Sequence, residues 1–157
     1  MNYIHKEGYL ADTVDQKLIE ALNTNARRSM RDLAKLVGMS APSFADRIRR
    51  LEDVGLVRGY TIELDRKVMG YPLQALVRVK PLPGQLHLVE RMIQEMPECV
   101  ECDKVTGEDC YILRLCLRSI EQLDPVLDAL HDKAETNTSI VKSSPVPRRA
   151  PPLLTRD

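Results

Sequence analysis

The spacing of apolar residues along the chain changes period once, near Gly55. Before that point three stretches repeat at helical spacing; after it, runs alternating every second residue are interleaved with helical ones. The first stretch, Leu10 to Leu22, carries Val14, Leu18, Ile19 and Leu22 on one stripe. Asp12 or Thr13 is its start, and Asn23-Thr24-Asn25 breaks it with side chains that compete with the backbone. The second begins at Ser29, with Asp32 three residues on in the manner of a capping box, and turns Leu33, Leu36 and Val37 inward. Gly38 supplies the left-handed residue that stops it. Ser40 caps the third stretch, Pro42 lies in its first turn, and Phe44, Ile48 and Leu51 form its apolar stripe. Three short helices sharing a core of Val14, Leu18, Leu22, Leu33, Leu36, Phe44, Ile48 and Leu51 are therefore expected.

Leu56 to Leu64 is β-prone and interrupted by Gly59, which suits the wing of a winged helix: a two-stranded ribbon or a single extended strand. Asp65 to Pro72 reads as a hinge. From there the predicted order is strand (73–80), helix (86–96), strand (99–105), tight loop (106–109), strand (111–117), helix from Ser119, and strand (136–143). Pro125 falls within the second helix, in its second turn or at a bend. The prolines after Ser143 leave the end extended or loose, and residues 1–9 read as a loose polar lead. Strand–helix–strand–strand–helix–strand is the split βαβ, or ferredoxin-like, motif. The fold class is thus α+β: a winged helix-turn-helix over 1–64, a linker over 65–72, and a βαββαβ domain with an antiparallel sheet over 73–157. Two helices cover one sheet face. The other, part-apolar around Leu76, Ile112 and Cys116, is expected to be buried by a second copy.

Composition narrows this little. The 157 residues are 43% hydrophobic and 29% charged, as in ordinary globular protein. The formal net charge is +0, so any nucleic-acid interface must be a local patch. The start of the chain lacks the apolar core of a signal peptide, and no apolar run approaches bilayer length; the expected compartment is the cytoplasm and no membrane partner is expected. Cys99 and Cys102 form a lone CxxC without a second pair at zinc spacing, and on a regular strand residues three apart face opposite ways. No metal site is expected. The three histidines are scattered, without a nucleophile or acid at catalytic spacing, and no cofactor motif or phosphate-cradling glycine loop is present; an enzyme is not expected.

The outward side of the third helix carries the candidate chemistry. At roughly 100° per residue, Pro42, Ser43, Asp46, Arg49, Arg50 and Asp53 point away from the apolar stripe, with Arg47 at its edge. A helix held by its predecessor, with small residues at its start and arginines further along, suits a DNA major groove. An ordinary helical hairpin with a solvated face has the same pattern. Ser43, Asp46 and Arg47 are the candidate base readers. Arg49, Arg50 and Arg58 are candidate phosphate contacts, with Ser40 and Pro42 at the helix start, Arg28 and Arg31 near the second helix, and Tyr60 beside Arg58. Arg58 and Tyr60 equally fit a strand leading away from DNA.

These elements resemble the Lrp/AsnC (feast/famine) family of transcriptional regulators over nearly the whole chain. The resemblance rests on Asp15, Asn25-Ala26-Arg27, Asp32-Leu33-Ala34, Arg47-Ile48-Arg49-Arg50-Leu51-Glu52, Gly55-Leu56-Val57-Arg58-Gly59-Tyr60 and Val105-Thr106-Gly107-Glu108 with Tyr111. It implies a sequence-specific DNA-binding regulator with a ligand-sensing (RAM) module, dimers that assemble into tetramers or octamers, and a small effector, most often an amino acid, held between modules. It implies that Thr106, Gly107, Glu108, Asp109 and Cys110, with Thr138 and Ser139, bind that effector, the loop offering backbone N–H groups to a carboxylate. The chain departs from the family where the loop's second acid stands: Cys110 occupies its place and Asp109 comes one residue early. The alternative reading is an oligomeric ligand-binding or assembly module without effector-controlled DNA binding.

Overall fold

A computed structural model describes residues 8–154. The expected loose lead lies outside the described residues for 1–7. The chain forms two compact units, one of residues up to 62 together with those from 148 onward, the other of residues 63–147.

In the first unit, α1 (Thr13–Thr24), α2 (Met30–Leu36) and α3 (Ala41–Asp53) follow the predicted order. The full capping box is at α1: Asp12 accepts the N–H groups of Val14 and Asp15 at 2.9 and 2.8 Å, and the Asp15 carboxylate accepts the Asp12 N–H at 3.3 Å. At α2 the expected box is only half present. Ser29 Oγ accepts the Asp32 N–H at 3.1 Å, but Asp32 turns back to the Ser29 hydroxyl at 2.7 Å. Gly38, at φ +70°, ends α2 with a Schellman pattern: its own N–H donates to the Lys35 carbonyl and the Met39 N–H to the Ala34 carbonyl. Ser40 caps α3 as expected, and Pro42 lies in its first turn.

The core of this unit is Leu18, Leu33, Ala34, Phe44, Ile48 and Leu51. Leu36, expected inside, is 54% exposed, and Ala34 takes its place. Leu33, Ala34 and Val37 cluster within an arc of about 100° on the helix, and Leu36 lies roughly 60° beyond its edge. Val14 is half-buried at the margin. Tyr9, expected loose, packs against this core. The predicted wing is not formed: residues 56–64 belong to no strand, and Tyr60, Ile62 and Leu64 are exposed. Gly59 (φ +156°) is followed by chain that runs on to a turn in which Asp65 accepts the N–H groups of Lys67 and Val68, and among the described residues no strand returns to pair with it. Residues 148–154, expected with the second domain, group with the first unit, where the Ala11 N–H donates to the Leu154 carbonyl at 2.8 Å.

The second unit runs β1 (Leu73–Pro81), α4 (Leu86–Gln94), β2 (Cys99–Lys104), β3 (Tyr111–Leu117), a 3-10 turn (Ile120–Gln122), α5 (Leu123–Asp128) and β4 (Ala134–Ile140). The strands form one antiparallel sheet in the order β2-β3-β1-β4, which is the ferredoxin-like topology. Ala75, Val77 and Val79 of β1 and Tyr111, Leu113, Leu115 and Leu117 of β3 pack with Val89 and Ile93 of α4 and with Leu123, Val126 and Leu127 of α5. Leu76 and Ile112, on the other sheet face, are half-buried. Ser119 makes no cap; the chain takes a 3-10 turn there, so α5 starts at Leu123. Pro125 therefore sits in a first turn, where its missing N–H has no helical partner to lose, and no bend is needed. In β2 the register shifts between Cys99 and Glu101, leaving Cys99 opposite Leu115 and Cys102 opposite Leu113. This bulge puts both thiols on the helix-covered side of the sheet, where regular pleating predicts opposite sides.

Candidate nucleic-acid interface and ligand loop

Asp15 is the one buried charged residue among the described residues, 1% exposed. Its carboxylate joins the start of α1 to the middle of α3. Oδ1 accepts from Arg47 Nη1 at 2.7 Å and Oδ2 from the Tyr9 hydroxyl at 2.7 Å. The same Nη1 donates to both oxygens of Asp12 at 2.6 Å. Arg50 reaches the cluster from the next turn, donating to the Tyr9 hydroxyl at 3.0 Å, with its Nη2 3.8 Å from Asp15.

This arrangement corrects one residue of the predicted reading set. Arg47 is an internal clamp between α3 and α1, with 21% of its side chain exposed, and its guanidinium is occupied by two carboxylates. At the edge of the stripe its long side chain reaches inward to α1 more readily than outward. The other predicted residues stay on the surface. Arg49 makes only an exposed i,i+3 pair with Asp46 at 2.9 Å, the two side chains being 67% and 71% exposed. Such a pair contributes little and opens readily. Ser40 Oγ accepts the Ser43 N–H and donates to Ser43 Oγ, leaving the Ser43 hydroxyl hydrogen free for another acceptor. Pro42, Arg28, Arg31 and Arg58 are exposed, and Tyr60 donates to Glu52 at 2.9 Å. Tyr9 and Asp12 escape a pattern reading because their role depends on a contact with α3 that nothing in their local spacing announces.

Asp12 is held well below the ordinary carboxylate range, at about 2 against 3.8, chiefly by the Arg47 guanidinium and then by the Asp15 N–H. A depressed pKa makes its stabilising contribution complete above the unfolded value and lost as pH falls from about 4 towards 2. In an acid titration followed by helical circular dichroism, Asp12→Asn should remove part of the unfolding that wild type shows in that window; an unchanged titration would take Asp12 out of the clamp.

In the second unit, the loop between β2 and β3 is closed by the Val105 N–H donating to the Cys110 carbonyl at 2.9 Å, with Gly107 at φ +122°. Thr106, Gly107 and Glu108 are exposed; Asp109 is half-buried, 4.0 Å from Arg78 Nε; Cys110 packs against the core. Thr138 and Ser139 lie opposite Val77 and Leu76 on β4, and β1 separates that strand from β3. At roughly 4.8 Å per strand they stand apart from the loop within one chain. Thr138 shares the helix-covered face and Ser139 the open one. A cleft of about 300 Å³ between α4 and β2, lined by Glu90, Cys99, Cys102, Lys104 and Tyr111 among others, contains none of the predicted effector residues. All four cysteines are free thiols, burial pushes the Cys102 thiol up to about 11, and no group of three metal-ligating side chains occurs among the described residues.

Two family models match the chain. Residues 12–52 match the AsnC-type helix-turn-helix domain, and residues 74–151 match the Lrp/AsnC ligand binding domain. The chain is 30% identical over 132 residues to the HTH-type transcriptional regulator LrpC of Bacillus subtilis, covering 84% of this chain and 92% of that one. The solved structure of B. subtilis LrpC superposes with a TM-score of 0.82 at 28% identity, over 89% of this chain and all of LrpC. The transcriptional regulator NMB0573 of Neisseria meningitidis, solved with L-Met, gives 0.82 at 26% identity, over 90% and 96% of the two chains. The feast or famine regulatory protein Rv3291c of Mycobacterium tuberculosis, complexed with L-methionine, gives 0.78 at 27%, over 87% and 95%. With a three-helix unit built around a capped outward helix, a four-stranded ligand-domain fold and these likenesses in hand, the chain belongs to the Lrp/AsnC family of DNA-binding helix-turn-helix transcriptional regulators.

Proposed function

We propose that the outward side of α3 enters the major groove of the operator, and that binding is modulated by an amino acid or related metabolite held by the second unit. The observation that carries the first half is the division of α3. Arg47 is locked to α1, while Arg49 and Arg50, 67% and 56% exposed, keep their guanidinium groups at the surface, Arg49 in an exposed pair with Asp46 and Arg50 bonded to the Tyr9 hydroxyl. Clamping the inner side fixes the helix; what remains outside is its reading surface. Ser43 and Asp46 meet base edges, Asp46 as an acceptor suited to cytosine N4. Arg49, Arg50 and Arg58 lie on phosphates, Arg28 and Arg31 flank them from α2, and Ser40, Pro42 and Tyr60 border the contact. Two such helices in a dimer sit about one helical turn of DNA apart, or a multiple of it. In a gel-shift titration against DNA upstream of the chain's own gene, Arg49→Gln should lower the slope of log affinity against log salt by about 0.9 per bound subunit. An unchanged slope would remove Arg49 from the phosphate set.

The effector half is supported by the matched ligand-binding domain and by the L-methionine complexes of two structural neighbours. The loop Thr106–Cys110 offers its backbone N–H groups to a carboxylate, and Asp109, half-buried beside Arg78, is the group available to an amine. Thr138 and Ser139 complete the site from a neighbouring copy, since their strand is remote from the loop of their own chain. The protein works as a dimer or larger assembly through the open sheet face, and in the cytoplasm; among the described residues no helix is long and apolar enough to cross a membrane. A thermal-shift screen of the twenty amino acids and their keto acids, beginning with L-methionine, tests this half. A ligand held only by the folded state must raise the melting point. Asp109→Asn should cancel the shift. A panel in which nothing moves the transition of the second unit would dismiss the sensing role.

A further inference from the structure

We propose that Tyr9 is a positioning residue for DNA binding: its hydroxyl stands between Arg50 and the buried Asp15 and keeps the Arg50 guanidinium on the solvent side of α3, where a phosphate meets it. The proposal rests on the reading that Arg50 contacts DNA.

The hydroxyl works in both directions. It donates to Asp15 Oδ2 at 2.7 Å and accepts from Arg50 Nη2 at 3.0 Å. Arg50 and Asp15 are consequently 3.8 Å apart, beyond a direct hydrogen bond, although they carry opposite charges. Asp15 is 1% exposed and Arg50 56%, so the phenol bridges a buried anion and a wet cation. The other groups facing Asp15 are Arg47, already committed to its Oδ1 and to Asp12, and the Asp12 N–H at 3.3 Å.

Removing the hydroxyl leaves Asp15 Oδ2 with that one long bond. A buried carboxylate oxygen without a good partner is costly, and the nearest donor is Arg50. Closing the gap by about 1 Å would make a direct charge-assisted bond. Arg50 would then be drawn into the α1–α3 junction and away from the duplex. Tyr9 touches no DNA in this account; its loss acts through Arg50.

The test is a set of salt titrations of the full chain on its own upstream DNA, from about 50 to 200 mM. Arg50→Gln should lower the slope of log affinity against log salt by about 0.9 per bound subunit. Tyr9→Phe should lower it by the same amount, and the double variant by no more. Adding Asp15→Asn to Tyr9→Phe removes the charge that draws Arg50 inward and should restore the wild-type slope. If Tyr9 only props the fold, Tyr9→Phe weakens binding at every salt concentration with the slope intact, and the proposal falls while the Arg50 contact stands. If Arg50→Gln itself leaves the slope untouched, the phosphate reading of Arg50 fails and takes this inference with it. Equal loss in Tyr9→Phe with and without Asp15→Asn also overturns it.

Discussion

Arg47→Ala should unfold the first unit more readily by about 3–5 kcal/mol, the range expected when one partner of a buried charge pair is removed. The cost comes from Asp15. Its carboxylate is 1% exposed, and without the guanidinium its Oδ1 faces the interior with no donor. Chemical denaturation followed by helical circular dichroism measures it. Arg47→Ala combined with Asp15→Asn should recover much of the loss, because a buried amide is less costly than an unpaired carboxylate. Operator affinity should fall in Arg47→Ala in proportion to the unfolded fraction, with base preference unchanged. Unchanged stability together with lost discrimination at one base pair would return Arg47 to the reading set.

Phe44→Ala should be of similar size, about 3–5 kcal/mol. Phe44 is the chain's one phenylalanine and is fully buried in a core of six residues. A core that small has little spare stability to lose. The second unit's core shares no residue with it. Denaturation should therefore show the helical unit melting early while the transition of the sheet unit stays in place, and DNA binding should vanish with the first transition. A single transition shifted as a whole would mean that the two units unfold together.

Much of this was legible from periodicity. Among the described residues, apolar periodicity locates α1, α3, α4, β1 and β3, which each bury one face at their own period, whereas β2 and β4 bury almost nothing and are placed by the turns and breakers around them. The outward set on α3 followed from the same rule, and Arg49 and Arg50 are where it places them. Arg47 shows where the rule stops. It sits at the border of the stripe, and whether a border arginine turns inward depends on whether a carboxylate waits there. Asp15 waits there, from a helix more than thirty positions earlier, and no spacing within α3 encodes it.

The other departures have the same character. Ala34 displaces Leu36 because a seven-residue helix shows the core only a narrow arc. Gly59 and a β-prone run suggest a wing, but a strand needs a partner, and residues 56–64 have none among the described residues. The bulge in β2 moves Cys99 and Cys102 onto one side by a single extra residue, which composition does not announce. The family resemblance groups Thr138 and Ser139 with the loop, but in the sheet β1 lies between β4 and β3.

The most direct test of the central claim is a gel-shift titration comparing wild type with the double variant Arg49→Gln/Arg50→Gln, each checked for unchanged thermal unfolding. If the outer side of α3 lies on DNA, the variant keeps its fold, loses most of its operator affinity, and shows a salt slope lower by about 1.8 per bound subunit. A folded variant that binds the operator as tightly as wild type, with the same salt dependence, would contradict the account.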